Sequence, residues 1–303
     1  MGRSHPPTLI RLVERTLVEE CGIRRGERIL VAISGGGDST ALLHVLSILA
    51  PKLGVSLCAH GVDHGLRPEA ARELDLAAES AARLGVPFAR TAVDCAPGGN
   101  VQARARTARR NALEHAARKE HATRIATAHH ADDRAETVLI RLLGGARPPA
   151  LGVLPARDGA WIRPMIRARK ADVSAHLGRH SIDFANDPSN LDRRFLRARI
   201  RMDVMPLLEE LSPAIVEHLT ALADELSGRA LPDVVDAAGR PVRLRRAQLG
   251  ALRRAVELNR PVTVRISGGR ELSFRPKASK NARADDRRPR TGQKGGAKTR
   301  KSG

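Results

Sequence analysis

Cysteine is scarce in this chain: Cys21, Cys58 and Cys95 are the only three in 303 residues. They form no CxxC, and no His stands at zinc-finger spacing from them. A disulfide framework, a zinc knuckle and a sulfur-relay pair are thereby excluded. Aromatics are equally sparse, at 2% with no Tyr. An RNA-binding surface here would therefore rest on phosphate contacts and arginine planes, not on a sheet of stacking rings. No apolar run approaches the ~18 residues of a membrane span. The opening stretch MGRSHPPTLIRLVERTLVEE has no uninterrupted apolar core of the secretory kind. A cytoplasmic protein without a membrane partner is expected.

Acidic residues are also in the minority. Against 53 Lys and Arg stand 33 Asp and Glu, giving a net charge of +20. Such an excess predicts a polyanionic partner, nucleic acid first, because neutralising phosphates releases counterions and draws ligand in from a distance. The arginine and alanine bias of a GC-rich genome would raise the same count without any partner. Residues 276–303 hold ten basic and two acidic residues among Gly, Ser, Ala and Pro, which leaves +8 and almost nothing to bury. This segment reads as a disordered basic tail. The remainder still carries +12, so the tail does not account for the excess.

What the chain has in plenty is alternation. Short runs rich in Val, Ile and Ala (29–33, 55–62, 86–93, 124–128) are separated by stretches of helical spacing (38–49, 68–84, 101–120, 132–143). This pitch predicts an α/β fold, a parallel sheet covered on both faces. Ligands in such sheets bind at the carboxyl ends of the strands. A Pro- and Gly-rich loop follows, then a short strand near Trp161 and a helix over 168–178. Residues 195–211 and 213–226 read as helices, with a further helix near 248–258 and a strand near 262–266. At ~100–200 residues per domain, the expected division is a catalytic domain over 1–211, a small mainly helical domain over 212–275, and the tail.

The first strand runs into Ser34-Gly35-Gly36-Gly37-Asp38-Ser39-Thr40 and then a helix. Glycines permit positive φ and close backbone approach, so successive N–H groups can line one concavity, to which the helix N-terminus adds its dipole. This is an anion nest suited to a nucleotide phosphate. The hydroxyls of Ser34, Ser39 and Thr40 can donate to phosphate oxygens, and Asp38 suits Mg²⁺ bridging them. Neither the Walker pattern nor the dinucleotide GxGxxG is present.

SGGGDS resembles the pyrophosphate loop of the N-type ATP pyrophosphatases, also called PP-loop enzymes. Within that superfamily the chain resembles the tRNA(Ile)-lysidine synthase family through four further stretches, taken in order: VDHGLRPEA (62–70), AHHADDRAETVLIRLLGG (128–145), IRPM (162–165) and DPSNLDRRFLRARIRMDVMPLL (187–208). The resemblance implies an adenine nucleotide alpha hydrolase-like fold. It implies that ATP adenylates the 2-carbonyl of the first anticodon cytidine of tRNA(Ile), and that free L-lysine then displaces AMP. No obligate protein partner is implied.

On a helical wheel His129, Asp133 and Glu136 fall on one face, within about 60° of each other, opposite Ala135, Val138, Leu139 and Leu142. Two carboxylates in so basic a chain suit a cationic substrate, and the resemblance places all three residues around lysine and ATP. A divalent metal site or a plain solvated face would fit the same spacing, and Asp132 can simply cap the helix. In QARARTARRNAL, Arg106 and Arg109 match the family's Arg-x-x-Arg, while Arg110 replaces an aromatic. Arg194, Arg197 and Arg201 cluster on one side of a helix, as phosphate readers would; a solvated basic face is the bland alternative. Arg134 stands where the family commonly has Gln, and Ala128 where it has Gly.

Overall fold

The computed structural model describes residues 8–63, 69–93, 101–185, 192–229, 248, 251–252, 255, 261–265 and 271–274. The chain divides into two compact units, Met1–Ala230 and Leu231–Gly303. The first unit thus extends past residue 211, because the helix α9 (Ile215–Asp224) packs Val216, Leu219 and Ala223 into its core. In the second unit Gln248, Ala251, Leu252 and Ala255 are helical, and β7 (Val262–Arg265) pairs antiparallel with β8 (Glu271–Phe274). The basic segment 276–303 lies outside the described residues, as do Cys95, Asp187 and Asn190.

In the first unit β1 (Arg28–Ala32), β2 (Ser56–Asp63), β3 (Phe88–Ala92), β4 (Arg124–Ala126), β5 (Arg157–Asp158) and β6 (Trp161–Ile162) form one sheet in the order β3-β2-β1-β4-β6-β5. All neighbours are parallel except β5 and β6. The expected parallel sheet is therefore present. β1 is its centre: Ile29 to Ala32 are buried, since α2 (Gly37–Leu53) covers one face and α4 (Val101–Lys119) the other. Leu42, Val45, Leu46 and Leu49 of α2 meet Ile29 and Val31, whereas Leu113 and Ala117 of α4 meet Leu30 and Ala32. The strand order reverses between β1 and β4. Loops leaving those two carboxyl ends face one crevice, the place where such sheets take ligands.

α1 (Leu9–Glu19), an amphipathic helix, precedes the first strand. It closes the core with Leu9, Val13 and Leu17. α3 (Glu69–Arg83) covers the sheet beside α2, and α6 (Lys170–Arg179) packs along α2. α5 (Ala131–Leu143) buries Ala135 and Val138 against α9 and Met205; Leu142, expected in the core stripe, is exposed. The expected helix over 195–211 is interrupted: α7 (Leu196–Arg199) widens into a π turn at Ile200–Val204 before α8 (Met205–Leu211). Pro206, which has no amide hydrogen to donate, follows directly and favours the wider turn.

Candidate active site

The glycine loop leaves the end of β1 and opens α2. Gly35 has φ +83°, and a Cβ there would lie 2.1 Å from the Glu73 carbonyl oxygen, so no other residue fits. Gly36 bridges to Ala185, whose N–H donates to Gly35 O at 2.9 Å. Gly36 is also the N-cap of α2 and provides no side-chain cap, so the first N–H groups of the helix face the loop's concavity. The hydroxyls of Ser39 and Thr40 do not point outward as expected. Both are buried and donate to Gly36 O, at 2.9 and 3.1 Å, while the Ser34 N–H donates to Ser39 Oγ at 3.1 Å. They shape the nest and leave its backbone to meet the ligand.

Across the crevice, β4 leads into α5 through Thr127 to His130. His129 precedes the helix and is not on it; its Nδ1 lies 3.0 Å from Thr127 Oγ1. Burial pushes the His129 imidazole down to about 4; Asp133 opposes this, while Arg163, Arg197 and Arg109 add to it. The ring is neutral at pH 7. His130 is the N-cap of α5, and its N–H donates to Asp133 Oδ2 at 3.1 Å. Its buried ring faces Asp132 and Asp133 at 3.4 Å and Asp38 at 3.8 Å. Burial alone would lower its pKa, but these three carboxylates raise it. Sequence reasoning did not single out His130. The signal was its place one residue before a helix whose first turn holds two acids.

Asp132 does cap a helix, but not its own. Its Oδ2 accepts from the Lys170 N–H at 2.7 Å, at the start of α6, and its Oδ1 accepts from Arg169 Nε and Nη2 at 3.1 Å. These bonds and His130 hold the Asp132 carboxyl well below the usual range in spite of burial.

Asp133 and Glu136 do share a face of α5, and that face meets Arg197 and Arg201. Glu136, almost wholly buried, accepts from Arg197 Nε at 2.9 Å and from Arg201 Nε and Nη2 at 2.6 and 3.0 Å. Asp133 accepts from the Nη2 atoms of the same two arginines at 2.9 and 3.3 Å. Two acids and two guanidiniums thus form one neutral cluster. Arg194 is not with them: it precedes α7 and pairs with Asp192 at 2.7 Å, almost fully exposed. Arg106 and Arg109 lie on α4, and burial together with Arg106 lowers the Arg109 pKa. Among the described residues no group of three or more His, Cys, Asp or Glu is arranged to hold a metal ion, and no helix is long and apolar enough to cross a membrane.

A family profile described as the PP-loop domain matches residues 9–208. A tRNA(Ile)-lysidine synthase of Thermobifida fusca is 34% identical over 238 residues, 78% of this chain and 72% of that protein. The chain belongs to the tRNA(Ile)-lysidine synthase family of PP-loop proteins. Family members of the same name from Symbiobacterium thermophilum and Methylobacterium nodulans are 37% and 41% identical, over 72% and 69% of this chain. The matches span 47% and 63% of those two proteins, so the chain corresponds to only part of the longer members. The PP-loop fold extends to a U34-tRNA thiolase, NcsA, of Methanococcus maripaludis, with a TM-score of 0.63 at 15% identity over 80% of this chain and 86% of that one. ATP use follows from membership of the PP-loop family.

Proposed function

We propose that this protein joins free L-lysine to the first anticodon cytidine of an isoleucine tRNA with a CAU anticodon, in the cytoplasm, at the expense of ATP. The observation that carries the reading is the meeting, at the β1 and β4 carboxyl ends, of an uncapped glycine nest with a cluster of two acids and two arginines. The nest holds the β and γ phosphates through backbone N–H groups. Cytosine O2 attacks the α phosphorus and pyrophosphate leaves. The base oxygen then belongs to AMP, a group that can be displaced.

Magnesium fits Asp38, whose carboxylate is about one-third exposed at the mouth of the loop and offers hard oxygens beside the phosphates. When bound there, the ion neutralises phosphate charge.

Lysine arrives with two ammonium groups and one carboxylate. In this reading Asp133 and Glu136 take ammonium, while Arg197 and Arg201 match the carboxylate. Its ε-ammonium, ~10.4 in water, must lose a proton before the nitrogen attacks C2 and the C2–O bond breaks. A carboxylate of this cluster or His129, which is unprotonated at neutral pH, takes that proton. Arg106, Arg109 and Arg194, with the unit after Leu231 and the basic tail, contact the tRNA. No further protein is required.

A sulfur-installing relative would need an accessible cysteine pair; Cys21 and Cys58 are both buried. Incubating the protein with ATP, labelled lysine and unmodified CAU tRNA should place label in the RNA and release pyrophosphate. No label in RNA under ATP turnover would refute the reading, and pyrophosphate release with sulfur incorporation would replace it.

A further inference from the structure

The glycine loop carries no lysine of its own, since Ser34 to Thr40 reads SGGGDST. Walker-type phosphate loops, by contrast, hold one that reaches the β and γ phosphates. The fold brings a lysine from far along the chain. Lys170 opens α6, 132 positions after Asp38, and its Nζ donates to Asp38 Oδ1. Its backbone is fixed by the 2.7 Å bond to Asp132. The preceding Arg169 N–H donates to Asp172 at 2.8 Å, which closes the first turn. Further along, Leu177 packs at the Gly37 backbone, and His176 Nε2 lies 3.0 Å from His44 Nδ1 of α2. α6 is therefore docked lengthwise on the helix that carries the loop. Half of the Lys170 side chain is exposed, so its ammonium stands at the open mouth and not in the core.

We propose that Lys170 is a catalytic residue of this loop, whose ammonium passes from Asp38 to the β and γ phosphate oxygens when ATP is bound and stabilises the departing pyrophosphate. The inference rests on the function proposed above. As cytosine O2 bonds to the α phosphorus, the bond from that phosphorus to the bridging oxygen breaks and its electron pair goes to pyrophosphate. Lys170 stays protonated throughout; it donates hydrogen bonds and transfers no proton. A lysine suits the exchange because its charge is compact and its stem flexible, so it can change oxyanions while α6 stays in place. Several phosphate charges also attract it more strongly than one carboxylate.

Calorimetry with inorganic pyrophosphate in EDTA separates this role from mere neutralisation of Asp38. Asp38→Asn removes the competing carboxylate and should tighten pyrophosphate binding. Adding Lys170→Met to that variant should weaken it about tenfold or more, the worth of a charged hydrogen bond, and adding Lys170→Arg in its place should keep most of the affinity. Equal affinities for Asp38→Asn with and without Lys170→Met would overturn the proposal. In single-turnover reactions with ATP and CAU tRNA, Lys170→Met should slow pyrophosphate release on the order of 10²-fold; an unchanged rate would also overturn it. If wild-type protein binds pyrophosphate through Lys170 yet forms no lysidine, the proposed function fails and the loop assignment stands.

Discussion

Asp224→Asn should destabilise this protein more than Arg134→Gln, although the two residues are partners. Asp224, at the end of α9, accepts from Arg134 Nη1 at 2.7 Å and from Arg167 Nη1 and Nη2 at 2.6 and 3.0 Å. Arg134 on α5 is wholly buried; its Nε donates to Val153 O at 2.9 Å, and its Nη2 has no partner. Arg167 has a second acid, Glu20, just beyond α1, bonded at 2.6 to 3.1 Å. Loss of the Asp224 charge therefore strands one buried guanidinium, which costs about 3–5 kcal/mol when uncompensated. Asp224 is about one-fifth exposed, which favours the lower end of that range. Arg134→Gln leaves Asp224 with both bonds from Arg167; its neutral amide can take over the donation to Val153 O, so the net loss is the charged hydrogen bond to Asp224, about 1.5–3 kcal/mol. Urea unfolding at pH 7.5, followed by far-ultraviolet circular dichroism and by the single Trp161, gives both values by linear extrapolation. An Arg134→Gln variant as unstable as Asp224→Asn would show that arginine shape, not charge compensation, holds α9 on α5. Two variants within about 0.5 kcal/mol of wild type would remove the network from the account altogether.

Asp38→Asn should abolish pyrophosphate release during turnover with folding intact, and near-normal turnover would refute its assigned role. Asp133→Asn or Glu136→Gln should raise the lysine concentration needed for ligation or stop it; unchanged lysine dependence in both would move the site elsewhere. Melting temperature should fall as pH drops from 6.5 toward 4, because His129 and His176 are both held at about 4 in the folded protein, chiefly by burial. The sign follows from depression: this stability is full above the unfolded value and is lost as protonation favours the unfolded chain. His176→Gln should flatten that slope, and an unchanged slope would refute the assignment. Deleting 276–303, ten basic residues in a segment outside the described ones, should weaken cognate and non-cognate tRNA by similar factors and make the salt dependence shallower. Loss of cognate preference alone would refute a register-free role.

The sheet and the glycine loop were legible because their signals are local. Four buried residues in a row at β1, then three glycines and a helix, fix one another over a dozen positions. The acid face of α5 was legible for the same reason, since Asp133 and Glu136 are three positions apart on one helix. What covers that face was not, because Arg197 and Arg201 come from more than sixty residues away. The wheel also carried His129 onto a helix that begins at Ala131, for periodicity does not mark where a helix starts. Arg134 read as a tolerated departure from Gln. Only the partners on α9 and beside α1 reveal a buried charge that organises three helices.

A net charge says how many cations a chain has, but not which of them are at liberty to meet a phosphate. Arg134 and Arg167 are held by Asp224, and Arg169 is held by Asp132, Glu209 and Glu217. Arg197 and Arg201 direct Nε and Nη2 to the acids, while each side chain remains partly exposed. On α4 the balance is different. Among the described residues Arg109 meets no carboxylate, and its burial beside Arg106 lowers its pKa, which means that the folded protein bears an uncompensated cost there. An anion placed on that face would relieve the cost, whereas one placed on Arg197 or Arg201 must share a guanidinium with Asp133 and Glu136. On the function proposed above, burial and pairing rank the α4 arginines above the α7 pair as the first partners of an RNA phosphate. On the same reading the α7 pair keeps the acids in register for a small zwitterion. That ordering inverts the one suggested by helical spacing alone, and it follows from burial and pairing, two quantities that a linear sequence does not carry.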